Sequence, residues 1–432
     1  MKNTKLFQYV VMGAFIFFII VGAIMFATYR STDTSVTNIS ISIWGTLPGD
    51  SFRTFISRYF SEMQIKHSVD YIQKDATTFD QELVEALASG GGPDAIILSE
   101  DSIVSYSNKI YPIPYTVFPE LEFKQTFIQE GELYLVPKGI LALPFSVDPL
   151  VMYWNRDIFN NTSVTIPPTN WTEVANLVPK MTKKDLAKNI SMSTVALGEF
   201  RNVTNAKEIL STLLLQLGSP VIRLNLDGSL ESTLKEEFGL KTSPTISSLE
   251  FYTNFSNPSK REYSWNRSLT NSLDAFVNGD LAMYFGFASE FLTIKNKNPN
   301  MNFDVAFMPQ IAGAKVYSTF GSMLGFAIMK NSANPAGAYT VLSTLTSAGA
   351  VPFWKDIFNI SSARRDILGQ VENSAAKTVF NKSAIMSKGW LDPNKAQTSL
   401  IFQEMVESYT TGRENIESAV STASDRIDAL LK

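Results

Sequence analysis

From Asn38 to Leu98 the chain alternates between two hydrophobic periods, and this alternation limits the fold more than any other feature. "NISISIW" (38–44) repeats every second residue and meets Gly45, the pattern of a strand ending in a turn. Phe52, Phe55, Ile56, Tyr59, Phe60 and Met63 then recur at helical spacing. "VDYIQ" predicts a second strand. "TFDQELVEALAS" predicts a second helix, with an apolar stripe of Phe79, Leu83 and Leu87 and a capping box from Thr78 to Gln81. "GGGPDAIIL" comes next. A left-handed glycine stops the helix, Pro93 blocks its continuation, and "AIIL" begins a third strand. A phosphate loop needs the opposite order, because the anion sits at a helix N-terminus. The Lys-Ser/Thr of such a loop is also missing. Strand, helix, strand, helix, strand implies an α/β lobe with parallel strands.

The 432 residues exceed what one ordinary core holds, so two lobes are expected. "LALPFSVDPLVMYWNRDIF" predicts two strands broken at "SVD", and "PPTNWTEVANLVPKM" a helix entered from a proline turn. "TNAKEILSTLLLQLGS" reads as an amphipathic helix stopped at Gly218, and "SLDAFVNGDLAMYFGF" as helix, glycine turn and strand. "MNFDVAFMP" and "MLGFAIMK" read as strands. The C-terminal section reads as two helices joined at Thr411–Gly412.

Leu6–Tyr29 carries no charge. It meets the roughly 20 apolar residues that a membrane-spanning helix needs. It also exceeds the apolar core of about 7–15 residues found in a cleaved signal peptide. Residues 6–29 are therefore expected to be an uncleaved transmembrane anchor, with 1–5 cytoplasmic and 30–37 a polar tether. Lys2 and Lys5 precede the run, which places the large domain on the extracytoplasmic face.

Composition removes several chemistries. With no cysteine there is no thiol catalysis, disulfide or zinc-thiolate site, and His67 is the only histidine. Carboxylates and tyrosines are a poor metal set, so neither metal nor cofactor is expected. A net charge of −4 without a basic segment argues against nucleic acid. No local motif pairs two carboxylates for glycoside hydrolysis.

Four landmarks, in this order, resemble the family 1 extracellular solute-binding proteins of ABC importers, the maltose-binding-protein-like group. They are "ISIWG", "FDQELVEALASGGGPDAIILSED", "LPFSVDPLVMYWNRDIFNNTSVTIPPTNWTEV", and "AFVNGDLAMYFG" followed by "FDVAFMP". The resemblance implies a two-lobed, type 2 periplasmic-binding-protein-like α/β fold with a ligand cleft between the lobes. Lobe one would comprise 38–146 and 307–348, and lobe two 149–302 and 353–432. Hinge crossings would fall at 147–148, 303–306 and 349–352. It further implies a non-enzymatic monomer that captures a small polar solute, foremost a mono- or oligosaccharide, and delivers it to a permease. A membrane-anchored sensor or adhesion module, or a peptide- or polyamine-binding protein of the same fold, is the alternative.

The resemblance also points to ligand-facing residues. Trp44 and Asp50 follow the first strand, and Glu100 and Asp101 follow the third. Asp148 falls at a hinge, Ser289 follows a lobe-two strand, and Trp265 and Trp390 are loop aromatics. Arg364, next to Arg365, lies at the cleft rim. Trp rings suit the apolar faces of a pyranose, and carboxylates suit its hydroxyl rim. Trp154 and Trp171 are expected to be structural.

Overall fold

The computed structural model describes residues 12–14, 16–21, 38–225 and 227–432. Most of the expected anchor and the whole tether lie outside these residues. Among the described residues no helix is long and apolar enough to cross a membrane.

Lobe one begins with three parallel strands, β1 (Ser40–Gly45), β2 (Ser68–Gln73) and β3 (Ala95–Ser99), in spatial order β2-β1-β3. Helix α1 (Gly49–Glu62) follows β1 and buries Phe52, Phe55, Tyr59 and Phe60 against the sheet. Helix α2 (Phe79–Ala88) follows β2 and buries Phe79 and Leu83. The expected capping box does not form. Thr78 Oγ1 donates to Glu82 at 2.6 Å and Gln81 to Glu85 at 2.8 Å, so both side chains bond along the helix and leave its free N–H groups alone. The helix stop is as expected. Gly90 has φ +76°, and Gly91 N–H closes on the Ala86 carbonyl at 2.9 Å before β3 starts.

Two long strands carry the chain between the lobes. Strand β4 (Leu143–Asn155) is continuous through the "SVD" that was expected to break it. Its middle residues Ser146, Val147 and Asp148 pair with Leu324, Met323 and Ser322, so the strand ladder runs through them. Phe145 and Val147 belong to the core of lobe one, and Leu150 to Trp154 to the core of lobe two.

In lobe two, β5 (Ile190–Val195) runs parallel to β6 (Leu281–Phe287), which lies antiparallel to β4. Helices α3 (Trp171–Met181) and α4 (Ala206–Gln216) pack into its core, and a short helix α5 (Glu290–Lys297) follows β6. Strand β7 (Phe303–Ala306) was expected to cross between lobes. Instead it pairs with Met152–Asn155 wholly inside lobe two. Gln310 then bridges to Asn170, so the chain is still in lobe two there. The second crossing is made by β8 (Thr319–Ile328), with Phe320 in one core and Met323 and Phe326 in the other. An alternating apolar run predicts a strand but not its neighbour, which is why β7 and β8 could be confused.

The third crossing also moves. Residues 349–352 remain in lobe one, where α6 (Val351–Phe358) sets Trp354 against Phe145 with ring centroids 4.2 Å apart. Strand β9 (Ser361–Ser362) pairs back onto β4 in the same lobe. The passage is α7 (Ala375–Ile385), which places Phe380 in the core of lobe two and Ala384 in that of lobe one. Strand β10 (Ser387–Lys388) then pairs with β8. The antiparallel tail helices α8 (Lys395–Thr410) and α9 (Ile416–Leu430) complete lobe two and meet at Thr411–Gly412. One sheet, β2-β1-β3-β8-β4-β6-β5, runs through both lobes.

Candidate functional site

The lobes meet beyond the carboxyl ends of β1 and β3, the position where open α/β sheets take ligands. Strand β3 ends at Ser99, and the next turn presents two adjacent carboxyls to different surroundings. Glu100 is 3% exposed and accepts from Met323 N–H of β8 at 2.7 Å. Burial, with Asp101 and Glu130 nearby, pushes its carboxyl well above the usual carboxylate range. Asp101 points into the cleft. Burial opposes its charge, but Lys395 and the Ser99 hydroxyl together hold its carboxyl below the usual range. Lys395 is the first residue of α8, and its Nζ reaches Asp101 Oδ2 at 2.9 Å across the cleft. Burial works against the ammonium, yet Asp101 more than compensates and keeps it charged. Beside this ion pair, Ser105 Oγ donates to the Pro393 carbonyl at 3.0 Å, a second contact between lobes.

The ion pair separates two cavities. The outer groove has about 680 Å³ of free volume and is lined by Thr46, Phe79, Asp80, Ser105, Asn394 and Ser399, among others. That is within the usual range of about 300–1,000 Å³ for ligand sites. The inner chamber, lined by Lys207, Glu208, Phe287, Phe320, Trp390 and Asp392, holds only about 50 Å³. That is room for water but not for a sugar ring. Asp101, Ser322 and Lys395 line both spaces.

The floor of the inner chamber is a buried polar cluster of lobe two. Lys207 Nζ donates to Asp392 Oδ2 at 2.5 Å and to Thr398 Oγ1 at 2.9 Å. Trp390 is 2% exposed, donates from Nε1 to Ser211 at 3.1 Å, and stacks on Phe402. Its ring therefore borders the chamber from within the core and does not stand free as a platform.

The other expected site residues are scattered. Trp44 is half-buried, and Lys74 Nζ caps its ring at 3.8 Å, so Thr46 lines the groove in its place. Asp50 is exposed and pairs with Arg53 at 2.7 Å one turn on. Asp148 sits mid-crossing and accepts from the Ser289 N–H at 3.0 Å. Burial pushes its carboxyl up to about 6 against that hydrogen bond, so this pair ties the β6–α5 turn to the hinge. Trp265 was expected near the ligand, but the structure buries it in the core of lobe two. The backbone N–H groups of Ser264 and Trp265 both bond to the Phe255 carbonyl, and the indole donates to Asn202 at 3.1 Å. Arg364 does not reach the groove either. It forks onto Asp366 at 3.0 Å and donates to the Thr346 carbonyl at 3.3 Å. Arg365 bonds to lobe-one carbonyls at Lys124 and Phe127. Trp154 and Trp171 are buried in lobe two.

Lys395, Lys207, Asp392 and Ser322 were not anticipated. Asn394 caps α8 through Gln397 N–H at 3.0 Å, which sets Lys395 in its first turn. A cation there opposes the helix dipole, so it calls for an anionic partner, but the sequence does not say which one. Among the described residues no cluster of three His, Asp or Glu side chains could hold a metal ion.

Glu130 is a further buried acid at the crossing. It is 2% exposed, neither carboxyl oxygen has a hydrogen-bond partner among the described residues, and burial pushes it up to about 8. It lies against Gly321 of β8, where any Cβ would collide with Oε2. Gly389 is similarly close, since a Cβ there would stand 3.0 Å from Oε1.

Residues 45–352 match the family described as bacterial extracellular solute-binding proteins. A binding protein of Brucella abortus is 24% identical over 379 residues, covering 82% of this chain and 83% of its own. A cyclo/maltodextrin-binding protein solved with maltotetraose superposes with a TM-score of 0.71 at 15% identity, over 92% of this chain and 98% of that one. The sugar-binding protein MalE of Xanthomonas citri gives a TM-score of 0.73 at 17% identity, over 91% and 97%. At these identities the structural matches establish the two-lobed fold.

Proposed function

The chain belongs to the bacterial extracellular solute-binding proteins, which bind without catalysis, and from that premise we propose that it captures a saccharide in the outer groove and delivers it to the membrane subunits of an ABC importer. The supporting observation is the groove itself. Its wall from lobe one offers the hydroxyls of Thr46, Ser99, Ser102 and Ser105 and the carboxylate of Asp101, and its wall from lobe two offers Asn394, Lys395 and Ser399. Such a mixture meets a ring of sugar hydroxyls with donors and acceptors on both sides. A ligand touching both walls favours the closed arrangement, which gives a permease a signal that distinguishes loaded from empty. Structural relatives that bind maltotetraose or other sugars are consistent with a saccharide.

The uncharged run 6–29 would hold the lobes at the outer face of the membrane. Retention of the full chain in the membrane fraction after alkaline carbonate washing supports that anchor, and release into the wash refutes it. A thermal-shift screen of the full chain against saccharides, peptides and polyamines tests the ligand class. A saccharide at about 100-fold over its Kd should add roughly 2.7 kcal/mol of apparent stability. A shift with peptides alone would defeat the saccharide assignment.

A further inference from the structure

The outer groove has two carboxylates, Asp80 and Asp101, and of the described residues that line it only Lys395 is cationic. Asp80 accepts from the Tyr106 hydroxyl of its own lobe. Asp101 is aligned by the Ser99 and Ser102 hydroxyls and faces the opposite lobe, where it meets the Lys395 ammonium at 2.9 Å. The Lys395 side chain is 63% exposed, while that of Asp101 is only 13% exposed. A largely exposed lysine gains little from an ordinary surface pair. Here the Ser99 and Ser102 hydroxyls hold the carboxylate from its own lobe, so the pair is held by the geometry of Asp101. The ammonium thereby fills the position at which a cationic ligand would otherwise bind.

We propose that Lys395 sets the charge class of the ligand: it acts as a built-in counter-cation to Asp101, so the groove accepts uncharged polyhydroxyl solutes and turns away amines and polyamines. This deepens the saccharide assignment and rests on it. A sugar can hydrogen-bond to the neutral pair from either side, sharing the ammonium's free N–H groups and the remaining carboxylate acceptor sites. An amine must displace Lys395, and it gains no net charge pairing by doing so. Without Lys395, two carboxylates face the groove uncompensated, and the preference should invert. Lys395 is thus a positioning residue that works through Asp101.

The experiment is calorimetric titration of the full chain with spermidine and, separately, with maltotetraose. Wild type, Lys395→Met, Lys395→Arg and the double variant Lys395→Met/Asp101→Asn are compared. Lys395→Met should bind spermidine at least about tenfold more tightly than wild type, and raised salt should weaken this gain. Lys395→Arg, which keeps the charge, should behave as wild type, and the double variant should lose the gain. The exposed side chain makes Lys395→Met a mild change for folding, and circular dichroism checks each variant. The proposal is overturned if Lys395→Met gains nothing for spermidine, if Lys395→Arg gains as much, or if the gain survives Asp101→Asn. Failure of wild type to bind maltotetraose or any other saccharide would count against the saccharide assignment alone, because the spermidine comparison still decides the role of Lys395.

Discussion

The two lobes meet the cleft with unlike chemistry. Lobe one contributes acids and hydroxyls on loops that leave parallel strands, with Glu100 and Asp101 directly after β3 and Asp80 in the first turn of α2. Lobe two contributes the cations, Lys207 from α4 and Lys395 from α8, together with Glu208 and Asp392 at the inner chamber. Within lobe two, Lys207 already has Asp392 and Thr398, and the pair is buried. Lys395 instead reaches across to pair with Asp101. One lysine therefore stabilises a lobe and the other connects two. The same distinction separates the acids of lobe one, since Glu130 is buried without a partner among the described residues while Asp101 is shared.

The largest expected effect comes from the buried pair. Lys207→Met leaves the buried Asp392 carboxyl without its cationic partner and should lower unfolding stability by about 3–5 kcal/mol, measured by urea denaturation. A loss no greater than that for Lys395→Met would erase the contrast between the two lysines. Next comes Glu130. Its folded form retains a proton to about pH 8, whereas the unfolded chain gives it up in the ordinary glutamate range. The stability it contributes is whole below that range and is lost as pH rises toward 8. Glu130→Gln should flatten the decline between pH 5 and 9 and raise stability at pH 8.5 by a few kcal/mol, on the order of 2–4. An unchanged pH profile would show that another group sets the slope. Lys395→Met is smaller still, about 1 kcal/mol or less, because its side chain is 63% exposed. Asp50→Asn is expected to change neither the melting temperature nor ligand affinity, since that carboxylate stands in solvent beside Arg53.

The same contrast explains what could be read in advance. Strands β1 to β3, their helices and the glycine stop at Gly90 are local patterns, and each predicts its own backbone. The strand pairing of β7 is not local. "FDVAFM" looks the same whether it crosses between lobes or edges one of them, and only its pairing with Met152–Asn155 decides. The site divides likewise. The place of Asp101 directly after β3 could be read, from the resemblance and because the end of a parallel strand in an open sheet faces the cleft. Its partner could not, because Lys395 lies nearly 300 residues further along and meets it only through the third crossing. Trp265 shows the reverse error. A tryptophan in a polar loop suggested a sugar platform, but two backbone hydrogen bonds to Phe255 fold that loop inward and bury the ring.

Asp50 and Asp101 both follow strands of lobe one, and only Asp101 meets lobe two, so comparing them tests the central claim most directly. The measurement is calorimetric titration of wild type, Asp101→Asn and Asp50→Asn with a panel of mono- and oligosaccharides. The account predicts one-to-one binding of at least one saccharide, weakened about tenfold or more by Asp101→Asn and unchanged by Asp50→Asn. Binding that Asp101→Asn leaves intact, or a panel in which no saccharide binds the wild type, would contradict it.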